Sequence, residues 1–206
     1  MSRQSTVDGR PGRPGHLPAL ISERPVDASE VRLGVVAARW HHDLIERLLD
    51  RIVTAAGDYG ASVLRPVRVP GAGELPLAAQ LLARTGTVDA VVAAAVVIRG
   101  GTPHFQTVLQ RASSGLLRVS LDESIPVADA VVAVLDAEQA SVRLGGPGST
   151  EDKGAAAAVA AIELVLLRRS LTGARLAAGG PSGSGAVGTP PAVVAGGAAS
   201  GPGAHT

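Results

Sequence analysis

Cysteine is absent from this sequence of 206 residues, and aromatic residues are nearly absent. Without a thiol, the chain can form no disulfide, no thiolate metal site and no cysteine nucleophile. Trp40, Tyr59 and Phe105 are the only aromatic side chains. We therefore expect a core built from Ala, Val, Leu and Ile.

Lysine is also scarce, since the chain holds one lysine, Lys153, beside 18 arginines, and its net charge is only +1. No basic cluster is interleaved with aromatic residues, so we do not expect nucleic acid as a partner. No apolar run is long enough to cross a bilayer, and the N-terminal segment has no apolar signal core. These features predict a cytoplasmic protein without membrane partners. Composition alone favours a solvated surface position for Lys153.

Composition divides the chain into three parts. Residues 1–30 are rich in Pro, Gly and Arg, and residues 172–206 consist mostly of Gly, Ala, Ser and Pro. Neither segment can bury enough apolar surface to offset the entropy of ordering, so we predict two disordered tails. The remaining part, 31–171, has the length of a single domain.

Within 31–171, short apolar runs alternate with segments of helical periodicity. The predicted strands are 32–38, 62–69, 88–98 and 127–135, and the predicted helices are 42–60, 74–86, 104–122, 137–145 and 150–171. Pro66 indicates that the second strand lies at a sheet edge. Serial strand–helix units predict an α/β fold in which helices flank a four-stranded parallel sheet on both faces. Ligands in such sheets bind beyond the carboxyl ends of the strands.

Familiar nucleotide and metal motifs are missing. The first strand-to-helix turn lacks the glycines of a dinucleotide fingerprint, and the lone lysine does not end a P-loop. His41 and His42 are adjacent, so they point in different directions, and no carboxylate–histidine spacing suits a metal. No G-x-S-x-G elbow offers an acyl-transfer serine. We expect no metal site.

The turn RGGTPH at 99–104 is the strongest candidate site. Gly100 and Gly101 would let backbone N–H groups approach a ligand closely, and the following helix N-terminus favours an anion. Thr102 adds a hydroxyl, and His104 is of the one residue type that ordinarily changes charge between pH 5 and 8. The spacing fits equally well a plain glycine-rich connector that ends in a partly exposed histidine.

Three motifs resemble those of a known family. VPGAGELPLAA, RGGTPHF and EDKGAAAAVAAIE occur in the order and at the spacings of lumazine synthase (6,7-dimethyl-8-ribityllumazine synthase), and the resemblance covers 31–171. It implies a flavodoxin-like three-layer sandwich. It also implies a transferase of riboflavin biosynthesis that condenses 5-amino-6-ribitylamino-uracil with 3,4-dihydroxy-2-butanone 4-phosphate, without a metal or redox cofactor. Family members form homopentamers, and some assemble into a shell of 60 subunits.

The resemblance also implies roles for individual residues. Gly100, Gly101 and Thr102 match the phosphate-binding turn, and His104 matches the general base and acid. Two residues, Arg143 for the phosphate and Lys153 for the substrate, would reach the site from a neighbouring subunit. The remaining substrate-binding positions are Trp40, Ala72, Gly73, Glu74, Val97 and Ile98.

Three of these residues also have ordinary structural explanations. Trp40 could be a core tryptophan, although its place past a strand end favours an exposed ring. Glu74 could favour a helix N-terminus, and Arg143 a helix C-terminus, through the helix dipole.

Some positions depart from the family pattern. Gly73 stands where many members have a bulky apolar residue, Gln106 replaces an acid, Asp129 replaces Phe or Asn, and 133–136 lack the usual threonines. These departures leave two other hypotheses open. One is a non-catalytic paralogue that binds a flavin-like or pterin-like ligand or builds a shell scaffold. The other is an enzyme whose amine substrate differs and uses the space at Gly73.

Overall fold

The computed structural model describes residues 27–177. Of the two predicted tails, 1–30 and 172–206, only residues 27–30 and 172–177 are among them; the rest lies outside the described residues. None of the helices within 27–177 is both long enough and apolar enough to span a bilayer.

The sheet is parallel throughout, as predicted. Its strands are β1 (Arg32–Ala38), β2 (Ser62–Val63), β3 (Val67–Val69), β4 (Ala90–Ile98) and β5 (Val127–Val134). The order across the sheet is β2-β1-β4-β5, and β3 pairs with β1 further along the same edge. β4 is buried along most of its length, as its continuous apolar sequence predicted.

The predicted strand 62–69 is wrong in one respect, because it is divided into β2 and β3. The break falls at Leu64, Arg65 and Pro66. Proline has no N–H to donate to the ladder, so pairing with β1 stops there and resumes at Val67. The edge position that Pro66 predicted is confirmed.

Five helices connect and cover the strands. They are α1 (His42–Asp58), α2 (Leu75–Arg84), α3 (His104–Asp122), α4 (Ala137–Ser141) and α5 (Lys153–Ala177), and a short 3-10 turn, Ala72–Glu74, precedes α2. Three predicted helix ends are wrong by three residues or more: α4 stops at Ser141, and α5 begins at Lys153 and runs past Leu171 to Ala177.

Hydrogen bonds explain two of these three differences. Asp152 accepts a hydrogen bond from the backbone N–H of Ala155 (3.0 Å) and so caps the start of α5. At the end of α4, the Arg47 guanidinium binds the carbonyl oxygens of Ser141 and Gly145, which satisfies acceptors where the helix stops. Beyond Leu171, a single glycine among good helix formers does not end α5.

Two apolar layers hold the helices on the sheet. α1 and α5 cover one face together with α4, while α2 and α3 cover the other. Small residues allow close packing: a Cβ on Gly154 of α5 would lie 2.6 Å from the carbonyl oxygen of Leu48 in α1. This three-layer arrangement leaves the carboxyl ends of β1, β3 and β4 open at one edge of the sheet.

Candidate active site

A cleft of about 420 Å³ opens beyond the carboxyl ends of β1, β3 and β4. Each strand end contributes one segment to its lining: 40–41, 70–74 and 96–98. The first two turns of α3 form the remaining wall. Seven of the residues predicted for the site line this one cleft: Trp40, Ala72, Gly73, Glu74, Val97, Ile98 and His104.

Trp40 lies at the mouth of the cleft with 70 % of its surface exposed. The exposed ring predicted from its position past a strand end is therefore confirmed, and it is not a core tryptophan. A Cβ on Gly71 would lie 3.7 Å from Cδ1 of Trp40 and 3.3 Å from Oε2 of Glu74. The missing side chain at Gly71 thus leaves open the space between an aromatic ring and a carboxylate.

The turn between β1 and α1 holds its cleft residues in an uncommon conformation. His41 has a φ of 58° and a ψ of 53°, which is the left-handed region. Non-glycine residues seldom adopt this region, and its strain is often found at ligand sites. The turn places both His41 and Trp40 at the cleft.

A second, smaller pocket of about 240 Å³ lies around the turn from β4 to α3. Arg99, Gly100, Gly101 and Thr102 line it. A Cβ on Gly100 or Gly101 would have no neighbour within 4 Å, so packing within the chain does not require glycine at either position. No side chain among residues 27–177 caps the N-terminus of α3 at Pro103, and its first N–H groups can therefore bind an anion.

His104 connects the cleft and the pocket. It is the first residue of α3 and lines the cleft, while Pro103 and Phe105 on either side of it line the smaller pocket. Its side chain is exposed. An imidazole at this position can exchange a proton with groups bound on either side.

The single chain does not bring Arg143 and Lys153 to the cleft. Both lie beside Glu151: Nζ of Lys153 is 2.8 Å from Oε2 of Glu151, and Nε of Arg143 is 3.5 Å from its Oε1. The hydrogen bond from Lys153 lowers the pKa of Glu151; desolvation opposes this shift, and the charges of Lys153 and Arg143 add to it. The sequence reasoning missed Glu151, which holds the two cations together.

Asp129 lies on the exposed edge strand β5, away from the cleft of its own chain. Desolvation raises the pKa of its carboxyl, although the hydrogen bond from the backbone N–H of Val131 (2.7 Å) opposes the shift. A carboxylate at this edge is thus destabilised in its charged form.

The sequence reasoning also missed Arg111, Thr107 and Val108, which line the cleft. Thr107, Val108 and Arg111 follow His104 by three, four and seven residues, respectively, which places all four side chains on one face of α3. That spacing was readable in the sequence once His104 had been singled out.

The chain resembles known proteins over most of its described length. The family model described as 6,7-dimethyl-8-ribityllumazine synthase matches residues 30–169. A protein of that name from Saccharopolyspora erythraea is 50 % identical over 146 residues, which are 71 % of this chain and 87 % of the relative. One from Mycobacterium avium is 49 % identical over 154 residues, 74 % of this chain and 95 % of the relative. One from Salinispora arenicola is 50 % identical over 147 residues, with shares of 71 % and 87 %.

Proposed function

The chain belongs to the 6,7-dimethyl-8-ribityllumazine synthase family, and we propose that it condenses 5-amino-6-ribitylamino-uracil with 3,4-dihydroxy-2-butanone 4-phosphate to 6,7-dimethyl-8-ribityllumazine. One observation carries the proposal at the level of the site. Three strand ends and α3 bring an exposed indole, a carboxylate and an imidazole to one cleft beside an uncapped helix N-terminus.

The cleft suits the pyrimidine substrate. The face of Trp40 offers a shelf on which a planar ring can stack. Val97 and Ile98 end the central strand β4 and pair with β5, but they lie past the last residue paired with β1, so the backbone edge on the β1 side is available to the ring. Ala72 and Gly73 have little or no side chain, so the part of the cleft wall that they form leaves room for the substrate. Glu74 can accept hydrogen bonds from the ribityl hydroxyls.

The smaller pocket suits the phosphate. Backbone N–H groups at Gly100 and Gly101, the hydroxyl of Thr102 and the start of α3 all favour an anion. We assign the phosphate of the butanone to this pocket. The ketone carbon then lies toward the cleft, where the amine of the pyrimidine can attack it.

His104 lies between the two bound groups and can serve the proton transfers. An imine forms with loss of water, phosphate leaves, and the ring closes with loss of a second water. Each step moves a proton onto or away from a nitrogen or oxygen atom, and a positioned imidazole can accept and return it. The assignment requires no cofactor.

Arg143 and Lys153 enter this proposal through a second subunit. Within one chain they lie beside Glu151 and not at the cleft. We propose that a homopentamer, as in the family, lets each subunit complete its neighbour's site, with Arg143 binding the phosphate in bidentate fashion. The homopentamer and the cytoplasmic location stay predictions.

Exposed leucines support an assembly of subunits. Leu77, Leu81, Leu117 and Leu121, which belong to the outer faces of α2 and α3, are each at least 58 % exposed in the single chain. Apolar side chains exposed on two helices that pack against each other are typical of surfaces that subunit contacts cover.

The two other hypotheses fare differently. Asp129 and the exposed turn at Leu135 and Asp136 still favour a non-catalytic ligand binder or scaffold as the second candidate. The altered-substrate hypothesis depended on free space at Gly73, and the Arg111 side chain lies beside that space.

Absorbance-monitored formation of the lumazine from both substrates tests the proposal. We expect turnover by the purified oligomer. A folded oligomer that binds the pyrimidine substrate without forming product would overturn it in favour of the second candidate.

A further inference from the structure

Among residues 27–177, Arg111 is the only arginine or lysine that lines the cleft. It lies on α3 seven residues after His104, so both side chains project from the same face of the helix. The guanidinium therefore lies at the wall opposite the strand ends, about two helical turns along α3 from His104. Arg111 belongs neither to the residues that line the phosphate pocket nor to the cluster around Glu151.

The side chain of Arg111 lies along Gly73. A Cβ built on Gly73 would be 3.7 Å from Cδ, 3.8 Å from Nε and 4.0 Å from Cζ of Arg111. Three consecutive atoms at nearly equal distances mean that the outer part of the arginine, from Cδ to the guanidinium carbon, runs beside the glycine. Arg111 thus occupies the volume into which a long side chain at position 73 would extend.

No carboxylate of residues 27–177 neutralises this guanidinium. Among the described residues, no Asp or Glu oxygen lies within 4.0 Å of the nitrogens of Arg111, and no side-chain hydrogen bond involves it. Within the described part of the chain, Glu74 is the one carboxylate that lines the cleft, and its Oε2 lies beside Gly71. The cleft therefore has an acceptor beside the indole and an unpaired fork of donors beside Gly73.

We propose that Arg111 is a further substrate-binding residue, whose guanidinium donates hydrogen bonds to the carbonyl and hydroxyl oxygens of the pyrimidine substrate. The inference rests on the proposed function, because it takes that substrate as the ligand. A planar guanidinium can also lie flat against a ring, so it replaces the missing side chain at Gly73 as a wall. The arginine supplies both shape and donors, which an apolar wall would not.

Arg111→Met tests the donors, because methionine keeps much of the apolar stem and removes the guanidinium. We expect the KM for the pyrimidine substrate to rise about ten- to a hundredfold, as for loss of hydrogen bonds from a charged group. The KM for the butanone phosphate should stay unchanged. Arg118→Met is the matched control, since Arg118 lies on the same helix, outside the cleft, and pairs with Asp122.

Gly73→Leu tests the shared volume. In the wild-type background, the leucine should displace Arg111 and raise the same KM. In the Arg111→Met background, it should add little further loss, because the displaced interaction is already gone. Additive effects of the two changes, or an equal rise in both KM values, would overturn the inference.

Tryptophan fluorescence separates this inference from the proposed function. Trp40 is the only tryptophan of the chain, and it lies at the cleft, so its quenching by the pyrimidine substrate reports binding without turnover. A wild type that neither binds nor turns over the substrate would defeat the proposed function. A wild type that binds it with the same Kd as Arg111→Met would defeat the role of Arg111 alone.

Discussion

His104 is the residue on which the proposed chemistry depends most. Its imidazole lies between the cleft and the phosphate pocket, so we expect His104→Ala to lower kcat by about 10²–10⁴-fold, the usual contribution of a general acid–base group. Binding of the pyrimidine substrate, followed by Trp40 fluorescence, should change little. His42→Ala is a suitable control, because His42 is exposed and pairs with Glu46 outside the cleft. Wild-type kcat in His104→Ala would refute the assignment.

The carboxyl of Asp129 makes the stability of the fold depend on pH. Desolvation raises its pKa in the folded chain above the ordinary value of 3.8, so the folded state keeps the proton to a higher pH than the unfolded chain. The free energy of unfolding therefore falls as the pH rises through the interval between the two pKa values. Above that interval, the charged carboxylate imposes its full cost.

Asp129→Asn should remove this cost and still accept the hydrogen bond from Val131. We expect urea unfolding at pH 7 to show a gain of at most about 1 kcal/mol, since the residue is partly exposed. The gain should vanish at about pH 3, where both forms are neutral. Glu123→Gln should behave oppositely, because hydrogen bonds from Arg84 and Gln80 lower the pKa of Glu123. A pH-independent difference for Asp129→Asn would contradict this account.

Residues of the site could be predicted from the sequence where they follow the end of a predicted strand. Trp40, Glu74 and His104 each follow an apolar run. Because ligands bind beyond the carboxyl ends of parallel strands, the sequence predicted that these three residues lie at the same edge of the sheet. The contact between Gly73 and Arg111 could not be predicted, because it joins two segments through the packing of α3 on the 3-10 turn. Local patterns hold no information about how closely two such elements approach.

Strands were predicted best where burial determines which residues form them. The strands β1, β4 and β5 match their apolar runs closely, because both faces or one face of each must be covered. Ends were predicted less well, since they depend on single hydrogen bonds such as the Asp152 cap and the Arg47 contacts. These bonds come from residues whose partners are set by tertiary packing.

Gly115 lies inside α3, where glycine is a poor helix former, and the structure gives it a packing role. A Cβ there would lie 2.5 Å from Cγ and 2.7 Å from Cβ of Pro76. The glycine therefore allows α3 to approach the start of α2. That approach also positions the wall that carries His104 and Arg111.

Gly115→Ala should thus destabilise the protein, although alanine is the better helix former. We expect a net loss of about 1–2 kcal/mol, as overpacking against Pro76 outweighs the gain in helix propensity. Gly57→Ala is the matched control in α1, where a Cβ would have no neighbour within 4 Å, and it should gain about 0.5–1 kcal/mol. Urea unfolding at one fixed protein concentration measures both; equal gains would show that α2 and α3 are not in tight contact.

At the scale of the whole molecule, one chain does not bring together all the residues proposed for the site. Arg143 and Lys153 pair with Glu151 at one place, and the cleft with His104 lies at another. The sequence predicted this division only through the resemblance to a pentameric family, because periodicity and spacing describe a single chain. A test of the assembly must therefore ask whether two residues act from different chains.

Mixing two inactive variants answers that question. Subunits with His104→Ala keep Arg143, and subunits with Arg143→Ala keep His104. In a closed ring with equal random mixing, about a quarter of the sites pair an intact His104 with an intact Arg143 from the neighbour, so we expect about a quarter of wild-type activity. His104→Ala mixed with Glu74→Ala should recover nothing, because both residues line the cleft of one chain. Recovery in neither mixture would mean that Arg143 does not act across a subunit boundary, and recovery in both would mean that the cleft itself is shared between chains.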